Sequence, residues 1–185
     1  MVDLLRHIGS NIKFNIKNKK ISIYNKNIKF KTIAPYKLLK TMRAGVIVLG
    51  PLLSRFKKAK VSLPGGCAIG SRPVDIHLSV LKKLGAKIKI KNGYILASAP
   101  KGLRGASFRF PSISVGATEN VILAAIKAKG VTVIENCAIE PEIKDLINFL
   151  KKLGVKIKIE GRKITISGSI KEKKITHKII CDRIE

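Results

Sequence analysis

The sequence predicts an α/β fold in which packed helices form the interior and sheets cover the outside. Two observations favour it. A helix–strand–helix–strand–strand pattern recurs along the chain, and strands that alternate with helices in repeated units are typical of α/β domains. The strands also alternate lysine with isoleucine, as at 87–91 and 156–159, which indicates sheets with one face buried and one face in water.

The second half of the repeat is the clearer half. It consists of an amphipathic helix, a glycine and two short strands joined by a polar turn. Gly9, Gly85 and Gly154 occupy the equivalent position in the three copies, and we expect each of them to end its helix. The copies lie at residues 4–23, 78–96 and 146–166.

The first half of the repeat is present in two copies. Residues 46–56 and 118–129 are predicted to be helices, and each leads into a strand, at 59–63 and 131–134. The copy at residues 4–23 shows only the second half of the pattern. We therefore expect the first unit to be truncated.

Composition restricts the class of protein. Among 185 residues, 45% are hydrophobic, and no apolar run approaches the ~20 residues of a membrane-spanning helix. The N-terminus lacks the order of a signal peptide, so we expect a cytoplasmic protein without a membrane partner. Cys67, Cys137 and Cys181 are widely spaced and form no C-x-x-C pair, which argues against a disulfide framework and a zinc site. No cofactor is predicted.

The formal charge of +27 raises the alternative of a nucleic-acid-binding protein. However, the lysines lie mainly on the polar faces of predicted strands, and only 5% of residues are aromatic. The chain contains no recognisable nucleic-acid-binding module. We therefore expect no specific nucleic-acid partner, although a positive field would help to gather an anionic small substrate.

Side chains that could take part in binding or catalysis are concentrated in the loop at residues 63–75. Gly65 and Gly66 allow close approach of a ligand to the backbone, and Cys67 lies five residues before Arg72. A thiol near an arginine and a helix start can have a lowered pKa, whereas many lone cysteines are inert core residues, which is our interpretation of Cys137. Asp75 could accept a bond from a sugar hydroxyl, cap a helix, or do both.

Many separate motifs, in order, give the chain its resemblance to a known family. From Ala34 onwards it resembles the UDP-N-acetylglucosamine 1-carboxyvinyltransferases, and residues 1–30 are similar to that family's preceding helix and hairpin. The matching stretches lie at 34–36, 40–44, 49–52, 62–67, 72–77, 114–120, 134–136, 140–143 and 182–185.

The resemblance implies an inside-out α/β barrel of the enolpyruvyl transferase type, and it also implies the following reaction. The enolpyruvyl group of phosphoenolpyruvate is transferred to the 3-hydroxyl of UDP-N-acetylglucosamine, with release of phosphate, through a tetrahedral intermediate. Residues 1–185 would form the catalytic-loop domain, incomplete at its N-terminus. A second domain, which in this family provides an aspartate base and further arginines, would be absent, so we expect the chain alone to be inactive.

The resemblance also assigns roles to particular residues. Cys67 would be the general acid, able to add covalently to phosphoenolpyruvate. Arg43 and Arg72 would contact the nucleotide sugar and the anionic ligands, respectively. The wall against the uridine would consist of Arg72, Pro73, Val74, Asp75 and Ile76. The diphosphate would be held by Ser114, Val115 and Gly116, next to a helix start suited to anions.

Alternatives remain for several of these roles. Arg43 could pair on a surface helix, and 114–116 could be a plain helix-entry turn. His77 is interpreted as a packed histidine. Some members of the family carry a lysine where this chain has Ser112. The chain could also be a non-catalytic remnant that binds nucleotide sugars, or a relative of 3-phosphoshikimate 1-carboxyvinyltransferase, which the Pro-Gly-Gly-Cys loop at 64–67 argues against.

Overall fold

A computed structural model describes residues 1–18, 20–25, 28–40, 42–65, 74–168, 170–171 and 173–181, and at Arg43 the backbone alone. The helices are α1 Val2–Ile8, α2 Tyr36–Leu39, a 3₁₀ helix Arg43–Val48, α3 Leu49–Phe56, α4 Asp75–Lys83, α5 Val115–Ala125 and α6 Pro141–Lys152. The strands are β1 Asn11–Asn15, β2 Lys20–Tyr24, β3 Ile33–Ala34, β4 Lys58–Ser62, β5 Lys87–Lys91, β6 Tyr94–Ser98, β7 Ser107–Arg109, β8 Thr132–Glu135, β9 Lys156–Glu160 and β10 Lys163–Ser167. None of the described helices is long and apolar enough to cross a membrane.

The strands of the described residues form three open sheets. One is the antiparallel hairpin β1–β2, and the other two have four strands each, in the orders β3-β4-β6-β5 and β7-β8-β10-β9. In both larger sheets the first pair is parallel and the next two pairs are antiparallel. The two complete units therefore have the same topology, which confirms the repeat predicted from the sequence.

Each complete unit begins with a strand that the sequence did not reveal. Strand β3 has two residues and β7 has three, and each pairs in parallel with the next strand along the chain, β4 and β8 respectively. The unit is thus strand–helix–strand–helix–strand–strand. Segments this short are below the length at which alternation of side chains becomes recognisable.

The three repeated glycines end their helices as predicted. Gly9, Gly85 and Gly154 have φ of 123°, 93° and 91°, a conformation that side chains with a Cβ rarely adopt. At Gly85, its own N–H donates to Lys82 O, and the next N–H along the chain donates to Leu81 O. The same two bonds recur at the other two glycines. All three helices therefore end in the same Schellman motif.

Helix α5 occupies the centre of the fold. It packs against the 3₁₀ helix, α3, α4 and α6, and most of its side chains are buried. The buried apolar side chains form two clusters, one for each complete unit. Ala124 of α5 belongs to the first cluster, whereas Val121 and Ile122 belong to the second. The helices therefore form the interior, and lysines of the outer sheet faces, such as Lys87 and Lys89, are exposed, as predicted.

Two predicted helices differ from those observed. The helix predicted at 46–56 begins as the 3₁₀ helix and becomes α-helical at Leu49. The helix predicted at 118–129 begins three residues earlier and ends at Ala125. Its predicted end was wrong because the backbone of Lys129 bonds to Leu103 and Gly105 and forms a short bridge, which requires an extended chain there.

Candidate functional site

The site residues predicted from the sequence fall into two groups. Cys67, Arg72 and Pro73 lie outside the described residues, and Arg43 is described only as the first residue of the 3₁₀ helix. The remaining positions begin two helices, α4 and α5. These are Val74, Asp75, Ile76, Ser114, Val115 and Gly116.

At the start of α4, Asp75 is the first helical residue and its side chain is exposed. The N-cap is Val74, and no side-chain capping bond is formed there. The alternative that Asp75 caps the helix was therefore wrong, because the backbone of Val74 occupies the cap position. An acidic residue in the first turn still interacts favourably with the positive end of the helix dipole.

Helix α5 starts at Ser114, which is its N-cap. The Oγ atom of Ser114 accepts a bond of 3.3 Å from the N–H of Ala117. The hydroxyl of Thr118 donates to Ser114 O at 2.8 Å and accepts from Ala138 N at 3.1 Å, which fixes the helix start to the turn after β8. Val115 and Gly116 are half-buried in the first turn. Backbone N–H groups in a first turn lack partners within their own helix, so they suit an anionic ligand.

The starts of α4 and α5 are in contact. A Cβ added at Gly116 would lie 3.4 Å from Cε1 of His77, which is in the first turn of α4. The first turns of α4 and α5 therefore lie side by side. The partial positive charges of two helix ends favour a negatively charged group between them.

His77 is buried at this contact, which confirms the prediction of a packed histidine. It is 8% exposed, and its Nδ1 lies 3.1 Å from Nδ2 of Asn120. Because an amide NH₂ group only donates, Nδ1 accepts and the ring proton lies on Nε2. Burial lowers the pKa of His77 from 6.5 to about 4, so the ring is neutral near pH 7.

Asn120 is the residue that the sequence analysis missed. It is fully buried, and its side chain reaches three other elements. Besides His77, its Nδ2 donates to Val46 O at 3.2 Å, and its Oδ1 accepts from Gly50 N at 2.7 Å. The available signal was an amide followed by the apolar run 121–125 of a helix, since a polar group that is buried with such a run needs partners.

The other cysteines do not resemble a catalytic thiol. Cys137 is buried, and its Sγ donates to Arg162 O at 3.1 Å. Burial raises the pKa of the Cys137 thiol, which favours the unreactive protonated form and confirms its interpretation as a core residue. Cys181 is exposed. In the described part of the chain, no group of three His, Cys, Asp or Glu side chains could hold a metal ion.

Comparisons with known proteins agree with this architecture. A model of the EPSP synthase (3-phosphoshikimate 1-carboxyvinyltransferase) family matches residues 1–185. A UDP-N-acetylglucosamine 1-carboxyvinyltransferase from Pelagibacter ubique is 56% identical over 186 residues, which cover 100% of this chain and 44% of the relative. The enzyme of the same name from Endomicrobium trichonymphae is 56% identical over 158 residues, or 85% of this chain and 38% of the relative. The chain thus spans less than half the length of these relatives.

Solved structures show the same fold at low identity. The enolpyruvyl transferase NikO from Streptomyces tendae superposes with a TM-score of 0.72 at 18% identity, over 90% of this chain and 39% of that one. EPSP synthase from Acinetobacter baumannii gives a TM-score of 0.69 at 20% identity, over 91% and 39% of the respective chains. The chain therefore belongs to the EPSP synthase (3-phosphoshikimate 1-carboxyvinyltransferase) family and, within it, resembles the UDP-N-acetylglucosamine 1-carboxyvinyltransferases.

Proposed function

We propose that this chain forms the nucleotide-sugar-binding wall of a UDP-N-acetylglucosamine 1-carboxyvinyltransferase. The whole enzyme would act in the cytoplasm, at the first committed step of peptidoglycan synthesis. The observation that carries this proposal is the 56% identity to a relative of that name along the full length of the chain. The match spans the loop, both helix starts and the core that supports them.

The geometry of the two helix starts supports binding of the nucleotide. The diphosphate would accept bonds from backbone N–H groups at Ser114, Val115 and Gly116, next to the dipole of α5. Val74, Asp75 and Ile76 begin the neighbouring helix and would face the uridine. The net charge of +27 would raise the local concentration of an anionic substrate.

The chemical step would need the loop residues. Cys67 would donate a proton to the methylene carbon of phosphoenolpyruvate while the sugar 3-hydroxyl oxygen bonds to the adjacent carbon and loses its own proton to a base. Elimination would then remove a proton from the new methyl group and release phosphate, which leaves the enol ether. Arg72 would stabilise charge on the anionic reactants, and Arg43 would contact the nucleotide sugar.

A chain that spans 44% of its relative would provide one wall of the site. In the proposal, the remaining part provides the base and further cationic groups, and catalysis needs both walls around the transition state. Residues 1–185 alone would then bind the nucleotide weakly and not turn over.

A second candidate function is transfer of the same group to 3-phosphoshikimate, because the matching family model carries that description. Both reactions would use phosphoenolpyruvate and release phosphate. The acceptor substrate therefore distinguishes the two candidates.

The test is a chimaera in which this chain replaces the matching 186 residues of the Pelagibacter ubique relative. Phosphate release from phosphoenolpyruvate is measured with UDP-N-acetylglucosamine or 3-phosphoshikimate as acceptor. A Cys67→Ser variant of the chimaera serves as the matched control.

We expect release with UDP-N-acetylglucosamine and a loss of at least ~10²-fold in the Cys67→Ser variant, the scale of general acid catalysis. Release with 3-phosphoshikimate alone would establish the second candidate. A folded chimaera that is inactive with both acceptors would contradict the proposal and favour a non-catalytic remnant.

A further inference from the structure

The contacts of Asn120 join three segments, and each of them begins at or beside a predicted ligand-binding position. The 3₁₀ helix begins at Arg43, α4 begins at Asp75, and α5, which carries Asn120, begins directly after Ser114. One fully buried side chain therefore contacts every element that would carry the described part of the nucleotide site.

The contact with the first segment lies at a junction between helix types. Val46 O and Gly50 N are four residues apart, the spacing that one α-helical hydrogen bond would join. The amide of Asn120 donates to the first and accepts from the second, at the point where the 3₁₀ helix becomes α3. The amide of Asn120 therefore joins the two sides of this junction.

The contact with the second segment fixes the start of α4. His77 is in the first turn of that helix, and its Nδ1 accepts from the same amide nitrogen. The other edge of the ring lies against Gly116, in the first turn of α5. His77 therefore links Asn120 to the first turns of both α4 and α5.

We propose that Asn120 is a positioning residue that holds the 3₁₀ helix, α4 and α5 in the one arrangement in which their starts bind a nucleotide sugar. This inference rests on the proposed function. A side chain that only satisfied buried backbone groups would affect stability alone. Asn120 differs because Val46 and His77 belong to segments that begin at predicted ligand-binding positions, and Gly50 lies at the point where the first of these segments becomes α3.

The experiment compares three variants of residues 1–185. Asn120→Ala removes all three hydrogen bonds, and Asn120→Asp retains an acceptor for Gly50 N but loses the NH₂ donor. Val121→Ala is the matched control, because Val121 is the next residue of α5, is fully buried, and is replaced without loss of a side-chain hydrogen bond. Amide hydrogen exchange is followed over 43–50 and 74–83, with 156–167 as an internal reference. The Kd for UDP-N-acetylglucosamine is measured by calorimetry with the same substitutions in the chimaera, which has both walls of the proposed site, well below each midpoint of unfolding.

We expect Asn120→Ala to accelerate exchange at least tenfold in 43–50 and 74–83 relative to 156–167, and to raise the Kd at least tenfold. Asn120→Asp should also increase both the exchange rate and the Kd, because two of the three hydrogen bonds are lost. Val121→Ala should leave the Kd within twofold of the wild-type value, even with an equal loss of stability.

Two results would overturn the inference while the proposed function stands. These are a Kd for Asn120→Ala within twofold of wild type, or an equal rise in Kd for Val121→Ala, which would show a purely structural role. If the chimaera without these substitutions did not bind UDP-N-acetylglucosamine, the proposed function would fail and the binding role of Asn120 would fail with it. The exchange data would then separately decide whether Asn120 holds the three segments together.

Discussion

Gly50 approaches Asn120 so closely that a Cβ at position 50 would overlap both the side-chain oxygen and the backbone oxygen of Asn120. The missing side chain allows α3 and α5 to lie side by side, with Gly50 N donating to Oδ1 at 2.7 Å. The close approach and the hydrogen bond therefore depend on each other.

Replacement of Gly50 by alanine should destabilise the fold by about 1–3 kcal/mol, because the overlap involves backbone atoms that cannot rotate away. Urea denaturation measures the change. Gly116→Ala is the matched control, since Gly116 also lies in a first helical turn and its Cβ would make an ordinary contact with His77. The control should retain or gain stability, by up to about 1 kcal/mol. Equal losses in both variants would contradict the prediction.

Two substitutions at Ser114 separate the capping role from the ligand role. Ser114→Ala should cost about 1 kcal/mol of stability because the bond to Ala117 N is lost. Ser114→Asp retains a capping oxygen and should be as stable as wild type, but its negative charge would repel a diphosphate. In thermal melts Ser114→Asp should therefore be the more stable variant, whereas in a UDP titration it should be the weaker binder. Unimpaired UDP binding by Ser114→Asp would place the diphosphate elsewhere.

The depressed pKa of His77 predicts a loss of stability in acid. The unfolded chain takes up a proton near pH 6.5, whereas the folded chain takes it up only near pH 4, so the unfolded state binds more protons between these values. The stabilisation is complete above pH 6.5 and falls by roughly 3 kcal/mol on going to pH 4. His77→Gln, which does not titrate in this range, should show a shallower decline in urea denaturation between pH 7 and 4.5. Identical slopes for the two proteins would refute this linkage.

Thiol reactivity should rank the three cysteines. Cys137 is buried with a raised pKa, so it should resist alkylation by iodoacetamide at pH 7 while the protein is folded. Cys181 is exposed and should react at an ordinary rate. Under the proposed function Cys67 should react faster than Cys181 at pH 6, as peptide mass mapping would measure. A slower reaction at Cys67 would remove the support for an activated thiol.

His177 attaches the segment 173–181 to α6. Its Nε2 lies 3.0 Å from Oδ1 of Asp145, both side chains are largely buried, and its ring packs edge-on against Phe149. Loss of a hydrogen bond worth about 1 kcal/mol should increase local opening about fivefold. Asp145→Ala should therefore speed proteolysis after Lys178 severalfold. Glu160→Gln, which removes an exposed pair with Lys158, should leave the rate unchanged.

The sequence predicted the parts of the fold that repeat. Glycine and the lysine–isoleucine alternation are local signals, so the Schellman ends at Gly85 and Gly154 and the hairpins that follow them were predicted from short windows. The strands β3 and β7 were not predicted because they exist only through pairing with a strand that is distant in sequence. The end of α5 was misplaced for the same reason, since a bridge at Lys129 competes with the helix.

The candidate site was predicted mainly from the order of the family's motifs along the chain, and less from the chemistry of individual side chains. The motifs predicted that Ser114 and Asp75 belong to one site, and the two helices that begin at these residues are in contact. Nothing local distinguished a helix cap at Asp75 from a residue one position inside the helix. The role of Asn120 depends on partners 70 and 74 residues away in sequence, which no local pattern encodes.

Because α5 contributes side chains to both apolar clusters, the two complete units cannot lose their structure independently. In solenoid proteins each repeat contacts only its neighbours, and stability is close to a sum over repeats. Here both clusters include side chains of α5, so the melting of one unit would expose the core of the other. The chain should behave as one cooperative unit whose two sheets melt at the same temperature, even though the sheets share no strand.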